Sequence, residues 1–461
     1  VNAALRPQPG APRAYRFPAF ERQTLPNGIH LIVAPVPKLP VVSMMAIIDA
    51  GAACDPAGRE GLAQLTASAL IEGTRMLDGP ALTERLEGIG GSVEPSADWD
   101  YVAASTTVMS TRAPAALALL AEILMGPSFP DREIERLRHE RHSELLQQRA
   151  EPRGLADEMF SRFLYGPRSR YAEPEGGNER SIMAITRDDV VAFHRARYRP
   201  GSTTLIITGD VSIDDAVKIV EANFGSWAGT VDRAPFVHDE AASTSRRVYV
   251  VGKDDAPQSE LRVGHVGVPR SHPDYFRVVI MNAILGGLFS SRINLNLREE
   301  HAYTYGAYSH YDWRRGAGPF VVSTAVKSDV TDGAVREVLH EVERMRTSEP
   351  TVEELSLATS YLDGVFPIRY ETTSAIAGAL ASLVVYDLPN DYFDRYRENI
   401  RSVTGSDVLA AAREHLHPEQ LQVAVVGDPN VVQAPLERLE IGPTALFDSE
   451  GIRVGHASNG G

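Results

Sequence analysis

Short apolar runs alternate with longer stretches of helical period, and the order is the same in both halves of the chain. In the first half, β-rich runs stand at Ile29–Val33 and Val42–Asp49; in the second, at Arg247–Val251 and Glu260–Val266. Amphipathic stretches with apolar residues three and four apart follow, among them Asp131–Gln148 and Val352–Val365. Each half then closes on a short β-rich run, Leu205–Thr208 or Val423–Val426, ended by a Gly-Asp pair. Strands, then helices, then strands predict an α+β class: two α/β-sandwich halves, each a mainly antiparallel sheet with helices packed on one face.

The halves are related by sequence as well as by order. Thr186 to Asp210 aligns without a gap on Thr404 to Asp428, at an offset of 404 − 186 = 218. Thr186, Asp189, Val190, Ala192, Arg195, Pro200, Gly209 and Asp210 recur as Thr404, Asp407, Val408, Ala410, Arg413, Pro418, Gly427 and Asp428. A repeat of this length marks a duplicated fold. Thr186 and Thr404 sit where an N-cap belongs, with polar residues in the next turn, and Pro200 and Pro418 are expected to end the helices. Gly229 to Ser245, polar and without period, reads as the linker. The expected units are therefore 1–235 and 246–461. Val1 to Arg13, with three prolines and no apolar period, reads as a loose arm.

Composition narrows the function. Against 61 Asp+Glu stand 46 Lys+Arg, a net charge of −15, which argues against a nucleic-acid or anionic-membrane partner. The uncharged apolar stretches Leu39–Ile48 and Ala375–Tyr386 are shorter than the roughly 20 residues of a membrane helix, so a soluble chain is expected. Its compartment is left unassigned. Cys54 is the single cysteine, which excludes an intrachain disulfide and any Cys-based metal cluster. The basic residues include only four lysines, Lys38, Lys218, Lys253 and Lys327, a bias expected of GC-rich bacterial coding.

Common catalytic signatures are absent: no phosphate loop, no G-x-S-x-G elbow, no H-E-x-x-H. His139 and His142 lie three apart on an expected helix with Glu135 beside them, and read as a solvated face in charged surroundings. His415 and His417 flank a helix end, where interaction with the terminal carbonyls is expected.

The informative stretch is Gly51 to Thr74, GAACDPAGREGLAQLTASALIEGT. It resembles the entry to the catalytic helix of the pitrilysin/insulinase family, the inverted zincins, whose pattern is G-L-A-H-x-x-E-H-x-x-x-x-G-T. Leu25-Pro26-Asn27-Gly28, the Tyr198-x-Pro200 to Gly209-Asp210 segment and the duplication carry the likeness over nearly the whole chain. The departures fall on the chemistry. Gln64 and Ser68 stand where the family places its two zinc histidines, and Ala67 where it places its general base. Histidines at i and i+4 aim two imidazoles at one ion; a neutral amide and a hydroxyl are weak zinc ligands, and a methyl group accepts no proton. The family's third ligand, a glutamate some seventy-odd residues on, corresponds by spacing to Glu144, at 144 − 68 = 76. It reads as a relic, so no metal or other cofactor is expected in this chain.

The second half keeps a different family feature. Leu297-Arg298-Glu299-Glu300-His301-Ala302-Tyr303-Thr304-Tyr305 resembles the segment whose arginine and tyrosine, seven residues apart, complete the site from the opposite domain. Arg298 supplies charged donors and Tyr305 a phenolic donor, suited to a peptide carbonyl and the oxyanion that grows on it. The structural alternative is an ion pair of Arg298 with Glu299 or Glu300 beside a core tyrosine, and Tyr303 or Tyr308 are the other candidate phenols. The resemblance implies the non-zinc subunit of a heterodimeric metallopeptidase. A homologous partner with an intact H-x-x-E-H would carry the zinc, and peptides would be the substrates. The rivals are a catalytically silent scaffold, like the peptidase-derived core subunits of respiratory complexes, and a self-contained peptide-binding protein with no partner.

Overall fold

A computed structural model describes residues 14–231, 234–235 and 237–454. The arm read over Val1–Arg13 therefore lies outside the described residues. The first sheet comprises β1 (Glu21–Thr24), β2 (His30–Pro35), β3 (Val41–Ile48), β4 (Glu94–Ala97), β5 (Val102–Met109) and β6 (Thr203–Gly209). Their order is β1-β2-β6-β3-β5-β4, with β2 and β6 parallel and the other neighbours antiparallel. The second sheet comprises β7 (Arg247–Gly252), β8 (Gln258–Val266), β9 (Ala307–Tyr311), β10 (Pro319–Lys327), β11 (Gln422–Gly427) and β12 (Thr444–Phe447). Here the order is β12-β7-β11-β8-β10-β9, with β11 and β12 both parallel to β7. Two mainly antiparallel six-stranded sheets with helices confirm the α+β class.

The repeat folds as its capping signals require. Thr186 and Asp189 form a reciprocal capping box at the start of the helix Arg187–Arg197, and Thr404 and Asp407 do the same for Gly405–His415. The prolines act differently from expectation. Both helices end before them, and Pro200 and Pro418 open short 3₁₀ turns, where a missing N–H costs nothing.

Helices cover both faces of each sheet, which corrects the expectation of one covered face. In the first sheet Leu31 and Val33 of β2 point into a core built with that half's own helices. The alternate residues Ile32 and Ala34 point the other way, against Ile376, Ala377 and Leu380 of the helix Thr373–Val385. That helix comes from the second half, and Thr373 seals it by bonding to Ser43 of β3 and Thr208 of β6. The second sheet receives the reciprocal gift. Tyr249, Val251, Ala424 and Val426 pack on Leu155, Met159, Phe160 and Phe163 of the first-half helix Pro152–Leu164. Phe163 stacks on Tyr249 at 4.2 Å between ring centres. Period-two strands buried on both faces need two layers of cover, and each half supplies one layer to the other.

The segment Tyr275–Glu300 is apolar enough over an 18-residue window to match a membrane span by composition. Of that window 61% is buried in the core, and the chain turns extended at Leu288 (φ −110°, ψ 155°). It is a broken core helix.

Candidate functional site

The degenerate helix, Leu62–Ala69, is held by a residue outside the motif. Asp55 accepts from the backbone N–H of Gly61 (2.7 Å) and of Ala63 (2.8 Å), and pairs with Arg170 at 2.9 Å. Burial pushes this carboxyl up, while Arg170 and the two backbone donors pull it down. Gly61 takes φ +92° at the N-cap, and a Cβ there would overlap the carbonyl of Gly176. Gln64 and Ser68, one turn apart, share a half-buried face, as the spacing predicts. Ala67 does not: it is 1% exposed and packs in the first-half core.

Glu144 lies on the helix Asp131–Ala150, exposed, with its carboxylate paired to Arg141 at 3.0 Å. Arg141 also donates to the Gly176 carbonyl at 3.2 Å, and a Cβ on Gly176 would overlap both its guanidinium and the Gln64 amide oxygen. An amide, a methyl and a hydroxyl beside a lone carboxylate do not fit a catalytic zinc. His139 is exposed and His142 stands 3.9 Å from Glu179, in keeping with a solvated face. His415 and His417 correct the expectation of helix-end carbonyl contacts. His415 Nε2 meets Asp274 at 2.9 Å, and His417 Nδ1 faces Glu419 at 3.6 Å.

The second-half segment is built differently. Residues Leu295–Glu300 form a wide helical turn that ends with Ala302 in the left-handed region (φ +53°) and Tyr303 N–H bonded to the Leu297 carbonyl at 2.8 Å. This is a Schellman-type end with alanine where glycine is usual. Asn294 ties the segment together, donating to the Phe289 carbonyl (2.6 Å) and accepting from Ala307 N–H (3.0 Å). At the tip Tyr305 is 92% exposed. Arg298 is half-buried, with its guanidinium 4.6 Å from the centre of the Phe289 ring and 3.4 Å from Glu299. Phe289 is itself 72% exposed. The ion pair named as the structural alternative for Arg298 is therefore present, whereas Tyr305 is no core tyrosine.

The other two phenols are engaged. Tyr303 packs over Gly333 and stacks on His301. Tyr308 accepts from Arg153 at 2.9 Å. At the edge strand β9, Asn282 bonds both the carbonyl and the hydroxyl of Ser309. Among the described residues, no hydrogen bond or ion pair links Gln64, Ser68 or Glu144 to Arg298 or Tyr305. A cavity of about 910 Å³ between the halves is lined by Asp49, Cys54, Asp100, Arg315 and Tyr386, and by none of Gln64, Ala67, Ser68, Glu144, Arg298 or Tyr305.

Residues 34–167 match the model of the insulinase family (peptidase family M16), and residues 184–362 match that of the peptidase M16 inactive domain. The chain belongs to the insulinase family. Its relatives include a Streptomyces coelicolor protein described as an uncharacterized zinc protease, 22% identical over 400 residues, covering 86% of this chain and 87% of the relative. A probable mitochondrial-processing peptidase subunit beta of Schizosaccharomyces pombe is 22% identical over 434 residues, covering 89% and 92%. Among solved structures, a peptidase M16 inactive domain from Pseudomonas fluorescens superposes with a TM-score of 0.82 at 26% identity, over 89% of this chain and 98% of that one. A Helicobacter pylori protease gives the same TM-score at 19% identity, over 89% and 100%. The insulinase family, as read from Gly51–Thr74 and the repeat, is thus confirmed.

Sequence reasoning missed Asp55, Arg170, Asn294 and Phe289. Asp55 carried a signal, an acidic residue a few positions before a helix start. Arg170, more than a hundred residues from Asp55, carried none.

Proposed function

We propose that this chain is the non-zinc subunit of a two-chain zinc metallopeptidase. Arg298 orients a peptide carbonyl, and the Tyr305 hydroxyl donates to the oxyanion that forms on it, in trans to a homologous partner. That partner supplies zinc, the attacking water and the general base; this chain supplies no catalytic zinc and is inactive alone. The observation that carries the reading is the unequal fate of the two residue sets. Gln64, Ala67 and Ser68 lack ligand and base chemistry, while the Tyr305 phenol stands 92% exposed beside a half-buried arginine. An exposed phenol with no hydrogen-bond partner among the described residues is suited to a group that arrives from outside.

The test is to produce this chain with a homologue that carries an intact H-x-x-E-H, then assay each chain and the mixture on a peptide library. Activity confined to the mixture, with co-elution of the two chains, supports the reading. A homologue fully active alone and indifferent to this chain refutes it. A stable complex without peptidase activity favours the scaffold reading.

A further inference from the structure

Away from the Gln64 helix and the Arg298–Tyr305 segment, the second half gathers three metal-ligating side chains at one joint of its core. His272 and Asp274 precede the helix Tyr275–Asn282, and His415 ends the helix Gly405–His415. One ligand atom from each lies within 4.8 Å of the other two. His415 Nε2 and Asp274 Oδ2 are 2.9 Å apart, and the His272 ring meets the His415 ring edge-on at 4.8 Å.

We propose that His272, Asp274 and His415 form a binding site for a zinc-class divalent cation, separate from peptidase chemistry. Two donors on one such ion, each bonded at about 2.0–2.1 Å, stand about 2.9–3.4 Å apart for bond angles between a right angle and tetrahedral. The Asp274–His415 pair already has the lower of these separations, and a ring rotation brings in His272. Two imidazoles and a carboxylate favour zinc, cobalt or nickel over calcium or magnesium.

The surroundings suit a ligand set. Asp274 Oδ1 accepts from Arg277 at 2.9 Å, the kind of outer contact that orients a ligating carboxylate. Arg277 is in turn neutralised by Asp407 at 3.2 Å, which tempers its repulsion of a cation. His272 Nδ1 accepts from the Asp274 backbone N–H at 3.2 Å, a contact that the ring gives up when it turns to the ion. His415 is buried, whereas His272 and Asp274 are half-buried, leaving one side open for water. In the absence of metal the His415 Nε2–H donates to Asp274. Ligation through Nε2 replaces that hydrogen bond and leaves the ring proton on Nδ1. The ion would tie the end of one core helix to the start of another.

This departs from the expectation, drawn from the Gln64 helix, that the chain holds no metal, and it stands independently of the subunit proposal. The test is to strip the full chain with a chelator and titrate it with Co(II), then Zn(II), following visible absorption and melting temperature. Saturation at one cobalt per chain, displacement by zinc and a higher melting temperature are expected. His272→Ala and Asp274→Asn should each weaken binding beyond the about 10–100-fold that loss of an outer contact costs. Gln64→Ala and Arg298→Ala should leave it unchanged. No saturable binding at micromolar metal, or binding that survives both His272→Ala and Asp274→Asn, would overturn the proposal.

Discussion

The degenerate helix of the first half and the Arg298–Tyr305 segment of the second differ in how their side chains are committed. Around Leu62–Ala69 the polar groups are spent on structure: Asp55 caps the helix and binds Arg170, Arg141 neutralises Glu144, and Ala67 fills core. Around Arg298 the framework is satisfied by Asn294, Thr304 and Thr324, and the functional groups are left outside it. A side chain with a structural task betrays itself as stability when removed; one with a catalytic task betrays itself as rate. Mutation can therefore separate the two regions.

The largest expected effect is on the first region. Asp55→Ala takes from the buried Arg170 side chain, which keeps three backbone carbonyls, its only carboxylate partner among the described residues, and uncaps the helix, so denaturant unfolding should show a loss of about 3 kcal/mol. A stability change below about 1 kcal/mol would mean that this ion pair does not hold the helix.

The seam between the regions gives a pH dependence. Burial, with Asp98 and Asp312 nearby, raises the Glu175 carboxyl to about 7, against the pull of Arg314 and Arg170. A raised folded-state pKa means that the folded chain holds a proton the unfolded chain releases. The stabilisation is complete below the unfolded value of about 4.5 and is lost as pH climbs to about 7. Melting temperature should fall across that window, and Glu175→Gln should flatten the slope; an unchanged slope in the variant would assign it to other groups.

A smaller effect is expected at Phe289. Its ring faces the Arg298 guanidinium at 4.6 Å, a contact worth about 0.5–1 kcal/mol at an exposed site. Phe289→Ala should therefore leave folding intact and raise KM of the reconstituted peptidase a few-fold, because Arg298 loses its rest. The smallest effect belongs to Gln64→Ala, within about 0.5 kcal/mol in stability and with unaltered turnover, since Gln64 has no catalytic task.

Much of this was legible in the sequence, for identifiable reasons. The capping boxes at Thr186 and Thr404 are local, and the strands are short β-rich runs, so both can be read without knowing what they touch. The reciprocal cover by Pro152–Leu164 and Thr373–Val385 could not be read, because an apolar helix face does not name its partner. For the same reason we propose that the expected units 1–235 and 246–461 depend on each other, so that each expressed alone shows no cooperative unfolding transition in denaturant. At the site, spacing identified Gln64, Ser68, Arg298 and Tyr305, since the motif is local. It could not show which phenol is left unengaged, because that depends on Gly333 and Arg153, distant in the chain, occupying Tyr303 and Tyr308.

The central claim, that Tyr305 acts on chemistry performed by another chain, is tested most directly by kcat of the reconstituted pair with Tyr305→Phe. The account predicts a fall of about 10²-fold, the cost of one lost oxyanion donor, with melting temperature and co-elution unchanged. An intact complex with undiminished kcat/KM would contradict it.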